Sequence, residues 1–148
     1  MILSVEEFIE LGFKASHSES TLLAIKEAEY FYVKERLTDA LYAKFDRESI
    51  EELIPLRNGG YVENKYFAGL KFAIAHIAYA YLLRQDLVSV RYGTVNKIEE
   101  SSTPAGQEHI YTVARYNQTI GDAALREICQ YFGVPWSTTN DYFNEFGL

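Results

Sequence analysis

The stretch Glu63-Asn-Lys-Tyr-Phe-Ala-Gly-Leu-Lys-Phe-Ala-Ile-Ala-His-Ile-Ala-Tyr-Ala-Tyr-Leu-Leu-Arg-Gln85 sets the fold class. Phe67, Leu70, Phe72, Ile74, Ile77, Tyr81 and Leu82 are spread around most of the circumference of a helix, and a helix apolar on nearly all sides is one that other elements must cover. The spacing predicts a long central helix over 63–85. Its most apolar part, Phe72 to Leu83, stops at Arg84, short of the roughly 18 uncharged residues that a membrane span needs. The surrounding chain must therefore supply the cover.

Toward the N-terminus, the turn residues Pro55, Asn58, Gly59 and Gly60 make 46–64 the main connector, with a short helical piece at Ile50 to Ile54. Before it, Leu22, Ile25, Val33, Leu37 and Leu41 fall along one helical row interrupted by Glu29, which predicts a helix running to about Phe45. The opposite face carries Lys26, Glu27, Lys34, Glu35 and Asp39, the alternating charges of a solvated surface. Ser4 and Glu7 have capping-box spacing, and Val5, Phe8, Ile9 and Leu11 follow before Gly12, so a short first helix is expected.

Toward the C-terminus, Leu87, Val88, Val90, Tyr92, Val95 and Ile98 are β-branched, aromatic and aliphatic residues around Gly93. They predict an extended arm or β-hairpin near 87–98. Glu99 to Gly106 is polar, and Pro104 suits the first turn of a helix, where a missing N–H costs nothing. Ile110, Val113, Ile120, Ala124, Ile128 and Phe132 form the stripe of that helix, which Gly133 and Pro135 end. The expected architecture is thus mainly α: a bundle of four to five helices with one short extended arm, a single domain over 1–148 with an aromatic tail at 133–148.

Composition excludes several classes of function. The chain has 148 residues, enough to bury a core without disulfides or metals, and 48% apolar against 24% charged residues marks a folding chain. Its net charge of −7 opposes attraction to nucleic acid or anionic lipid, which recruit clustered Lys and Arg. Cys129 is the only cysteine, so no intrachain disulfide forms and any zinc site with two cysteine ligands from this chain is excluded. Met1 to Glu10 holds three glutamates and no basic residue, unlike a secretory signal. A reducing, cytoplasmic setting is expected, with no membrane. The aromatic share of 15%, including 12 Tyr, suits cores and protein interfaces.

Chemistry-bearing residues each have a structural explanation. His17, His76 and His109 are far apart, without the i, i+4 partner of a helical metal pair, and His76 reads as a hydrogen-bonded core or interface group. Cys129 reads as a small buried hydrophobe. Glu6–Glu7, Glu51–Glu52 and Glu99–Glu100 are adjacent pairs whose side chains diverge, so none makes a shared acid/base site. Phosphate-loop, dinucleotide and nucleophile-elbow strings do not occur. The expectation is a protein without enzymatic activity, cofactor, metal or small-molecule substrate. A second class is a helix-turn-helix DNA-binding regulator using 123–143, with Gly133 four residues after Cys129. Electrostatics oppose it, because no Lys or Arg follows Arg126 while Glu127, Asp141 and Glu145 would face the phosphates.

Two stretches carry a family resemblance: Leu22-Leu-Ala-Ile-Lys-Glu-Ala-Glu-Tyr-Phe-Tyr-Val-Lys-Glu-Arg-Leu-Thr-Asp-Ala-Leu-Tyr42 and Val90-Arg-Tyr-Gly-Thr-Val-Asn-Lys97, the latter followed by Glu100-Ser-Ser-Thr-Pro-Ala105 and a long helix. In this order the chain resembles the head-to-tail connector (adaptor, neck) proteins of phages and prophages over most of residues 20 to 132. Thr38 and Asp39 stand where that family often has glycine. The resemblance implies a helical bundle with a small extended arm, assembling as a homo-oligomeric ring beneath a portal. It implies portal or other neck proteins as partners, no enzymatic activity, and a final location in the virion neck. Ring contacts are heterologous and need separated surface patches. The expected ones are Arg91, Tyr92, Val95 and Lys97 on the arm, and Trp136, Phe143 and Phe146 on the tail, each mixing aromatic area with few charges.

Overall fold

The computed structural model describes residues 1–15, 18–47, 50–91 and 104–136, with backbone alone at 18, 86–91 and 104–107. It is mainly helical with one small antiparallel hairpin among the described residues. Helix α1 (Val5–Glu10) starts on the capping box that the sequence announces: Ser4 Oγ accepts from Glu7 N at 3.1 Å and Glu7 Oε1 accepts from Ser4 N at 3.2 Å.

Helix α2 (Ser18–Glu27) runs into a π-helical segment (Ala28–Val33) and then α3 (Lys34–Leu37). Glu29 lies in this segment and faces the core with the apolar row that it interrupts. Its fully buried carboxylate accepts from Ile2 N at 2.8 Å and Leu3 N at 2.7 Å through Oε1, and from the Tyr42 hydroxyl at 2.9 Å through Oε2. Burial raises its pKa against the pull of those donors.

The helix expected to continue to Phe45 breaks at Thr38, where φ is 80° and ψ 152°, and restarts as α4 (Asp39–Asp46). That backbone region is nearly exclusive to glycine. Thr38 thus does with strain what a glycine does freely. It also caps α4, its Oγ1 accepting from Leu41 N at 3.4 Å.

A 3-10 turn (Glu51–Leu53) leads into α5 (Ile54–Asn58), followed by β1 (Gly60–Val62) and β2 (Lys65–Phe67). The strands pair antiparallel with Gly60 opposite Phe67, Tyr61 opposite Tyr66 and Val62 opposite Lys65. Glu63 and Asn64 turn the chain with φ of 50° and 69°, positive at both central residues as in a type I′ hairpin. The hairpin therefore lies at 60–67, whereas 87–91 of the expected arm is helical. The central helix correspondingly begins at Leu70, because Gly69 at φ 100° cannot propagate a helix and 65–67 are committed to the ladder. A Cβ on Gly69 would collide with Gly59 N, so the two chain ends flanking the hairpin touch backbone to backbone.

Helix α6 (Leu70–Arg91) carries Leu87, Val88 and Val90 as helix. Differences in intrinsic propensity, about 0.7 kcal/mol per residue at most, are too small for β-branched side chains to stop a helix already propagating. Residues 92–98, the rest of the expected arm, lie outside the described residues. Helix α7 (Pro104–Tyr131) starts at Pro104 as its chemistry suggests. It ends at Gly133 in a Schellman motif: Val134 N donates to Cys129 O at 2.8 Å and Gly133 N to Gln130 O at 3.1 Å.

Helices α6 and α7 pack along each other, with Ala73 and Ile77 against Gly121 and His76 against Asn117. Small residues permit the approach: a Cβ on Gly121 would stand 2.7 Å from Ile77 Cγ1 and 3.0 Å from Ala73 O. The core is built around α6, with Leu70, Ala73, Ile74, Ile77 and Ala78 fully buried in one cluster with Phe8, Ile25, Val33, Leu37 and Leu125. Among the described residues no helix is long and apolar enough to cross a membrane.

Candidate functional site

Of the seven expected interface residues, Arg91 is the last residue of α6, and Tyr92, Val95, Lys97, Phe143 and Phe146 lie outside the described residues. Trp136 is described, and it is where the chemistry gathers. The Schellman turn reverses the chain after α7 so that Trp136 packs back, half-buried, within reach of two arginines. The Arg126 guanidinium sits 4.7 Å from the ring centroid and the Arg36 guanidinium 5.3 Å from it. Such stacking contributes about 0.5–1 kcal/mol at exposed positions and more where water is excluded.

Arg36 is 3% exposed. It lies on Tyr32 at 3.6 Å, and its Nη1 donates to Tyr32 O at 3.2 Å. Among the described residues its buried Nε has no hydrogen-bond acceptor and no carboxylate reaches it. A buried cation held by rings and one carbonyl is an expensive arrangement. Around it, the Tyr32 hydroxyl donates to the Asp122 carboxylate and receives Gln118 Nε2 at 3.3 Å, tying α7 to the π segment. Burial and the neighbouring Asp122 charge push the Tyr32 phenol far above its usual range, so it stays protonated. The Cys129 thiol donates to Arg36 O at 3.7 Å. Burial raises its pKa, which disfavours the reactive thiolate and agrees with the reading of a buried hydrophobe.

A second surface escapes the sequence reading. On the hairpin Tyr61 and Tyr66 are 71% and 59% exposed, their rings 5.3 Å apart, with Glu63 exposed at the turn. The signal for it is a pair of three-residue strand-like runs, 60–62 and 65–67, around a two-residue turn. Glu-Asn, however, is a poor match to the Asn-Gly that announces such turns. Phe67, the inward residue of β2, meets Tyr131 of α7 at 5.8 Å and anchors the hairpin to the bundle.

His76 joins α6 to α7: Asn117 Nδ2 donates to Val113 O at 2.8 Å, so Asn117 Oδ1 is the acceptor for His76 Nδ1–H at 2.8 Å. Phe13 and Phe72 enclose the ring at 4.9 and 4.4 Å. Burial lowers its pKa, favouring the neutral imidazole. Among the described residues no three His, Cys, Asp or Glu side chains gather as a metal site.

Residues 33–133 match a family of unknown function, DUF6712. The chain belongs to that family. The DUF6712 match includes Arg36, the whole hairpin, His76 and Arg126, and stops three residues before Trp136; Glu29 precedes it. No curated protein and no solved structure matches the chain.

Proposed function

We propose that this DUF6712 protein is a structural assembly protein, a phage or prophage head-to-tail connector subunit that forms a ring and docks beneath a portal. The observation that carries the reading is the pair of exposed tyrosines, Tyr61 and Tyr66, displayed side by side on a hairpin anchored to the bundle through Phe67. Paired aromatic rings on a surface are the composition of an interface centre, where Tyr and Trp supply much of the binding energy. The sequence resemblance over 20–132 supports the same reading. The cation-flanked Trp136 is a second, different surface, as a heterologous contact requires.

The experiment is a mass measurement on the full chain and on a Tyr61→Ala/Tyr66→Ala variant, by light scattering over a wide concentration range. Wild type is expected to form a discrete closed oligomer and the variant to remain folded by circular dichroism but smaller. A wild-type chain that stays monomeric, and instead retards duplex DNA in a salt-dependent manner, would replace this reading with the helix-turn-helix regulator.

A further inference from the structure

Two exposed groups of opposite charge each stand in an aromatic setting. Arg126 lies on α7 with the Trp136 indole on one side; Glu63 lies at the hairpin turn beside the Tyr61–Tyr66 pair. Among the described residues neither has an ion-pair partner in its own chain. Both groups lie on one chain and carry opposite charge, so a second copy brings to each the partner it lacks, against the general repulsion of copies that each carry −7. Glu63 also occupies a positive-φ turn position that Asn or Gly fills with less strain. A costly residue at a turn tip is one whose side chain is a candidate for use elsewhere.

From this charge and ring complementarity we propose that Glu63 of one copy pairs with Arg126 of the next. The Arg126 fork donates to both Glu63 carboxylate oxygens, while Tyr61 and Tyr66 lie against the Arg126–Trp136 stack. Arg36, on the same indole, adds a fixed positive charge that favours the incoming carboxylate. The hairpin and the stack are different surfaces of one chain, so the contact is heterologous and extends from subunit to subunit. This rests on the assembly reading and names the contact that performs it.

Charge reversal tests it on the full chain. Trp136 is the only tryptophan, so its emission reports the site directly while light scattering reports mass. Glu63→Lys and Arg126→Glu are each expected to weaken self-association by roughly tenfold or more, since both place like charges face to face. Mixing the two variants restores attraction at every junction: the introduced lysine meets the introduced glutamate at one, and native Glu63 meets native Arg126 at the next. The double variant in one chain regains assembly as well. Wild-type assembly is expected to shift Trp136 emission to shorter wavelength as the partner's rings cover the indole. Single variants that assemble like wild type would overturn this contact and leave the assembly reading standing, as would a double variant no better than the singles. A wild-type chain that never associates would overturn both.

Discussion

Thr38 holds a β-branched side chain at φ 80° and ψ 152°, where only glycine is at ease, and its compensation is one long capping bond to Leu41 N. Thr38→Gly relieves strain of about 1–3 kcal/mol, loses a few tenths from the cap, and loses up to about 1 kcal/mol through added freedom of the unfolded chain. The expected net gain is about 1 kcal/mol in urea unfolding. Thr38→Ala keeps the strain and loses the cap, so it is expected to lose about 1 kcal/mol. His76 supplies a pH dependence with a definite sign. Its folded pKa lies below the unfolded value, so the unfolded chain binds the proton more tightly and stability must fall on acidification. The contribution is complete above about pH 6.5 and is lost as pH drops from there toward the folded pKa. His76→Gln should flatten the unfolding profile in that window, which urea titrations at successive pH values would read.

Among the helices and strands, what is legible in the sequence is what neighbouring residues determine. The capping box of α1, the proline start and glycine end of α7, and the apolar girdle of α6 are written locally, and each is readable. The break at Thr38 is not, because threonine carries no sign of positive φ and the apolar row through Leu37 and Leu41 continues across it. The hairpin at 60–67 is hidden by an unusual turn pair and by Phe67, which fits the apolar pattern of the following helix as well as it fits a strand. Leu87, Val88 and Val90 mislead in the opposite direction: side-chain preference points to a strand while helix propagation from Ala73 to Ala80 decides the backbone. The hairpin depends on the Gly59–Gly69 contact. Gly69→Ala would drive a Cβ into Gly59 N and keep a residue with a side chain at φ 100°. A loss of about 2–3 kcal/mol in thermal or urea unfolding is expected, with the tyrosine pair displaced. Gly59→Asn, by comparison, meets Ala68 O at 2.8 Å and should lose stability for the same reason.

Across the chain as a whole, the candidate site is only partly legible. Trp136 stands out as the one tryptophan after a helix-ending glycine, but its partners Arg36 and Arg126 are 90 positions apart in the sequence, and only the fold brings both to one ring. Arg36 directly follows Lys34 and Glu35, which read as solvated surface, yet it is buried against Tyr32. The candidate surfaces have definite positions: a tyrosine hairpin with an acidic tip, and an indole met by two arginines. The assembly proposed for this DUF6712 protein would set these two unlike surfaces against each other in repeating head-to-tail contact. The mass of the full chain in solution, followed by native mass spectrometry as concentration rises, tests that assembly most directly. The expected result is a discrete closed multiple of the 17.0 kDa subunit that Glu63→Lys or Arg126→Glu reduces. A mass of one subunit at every concentration would contradict it.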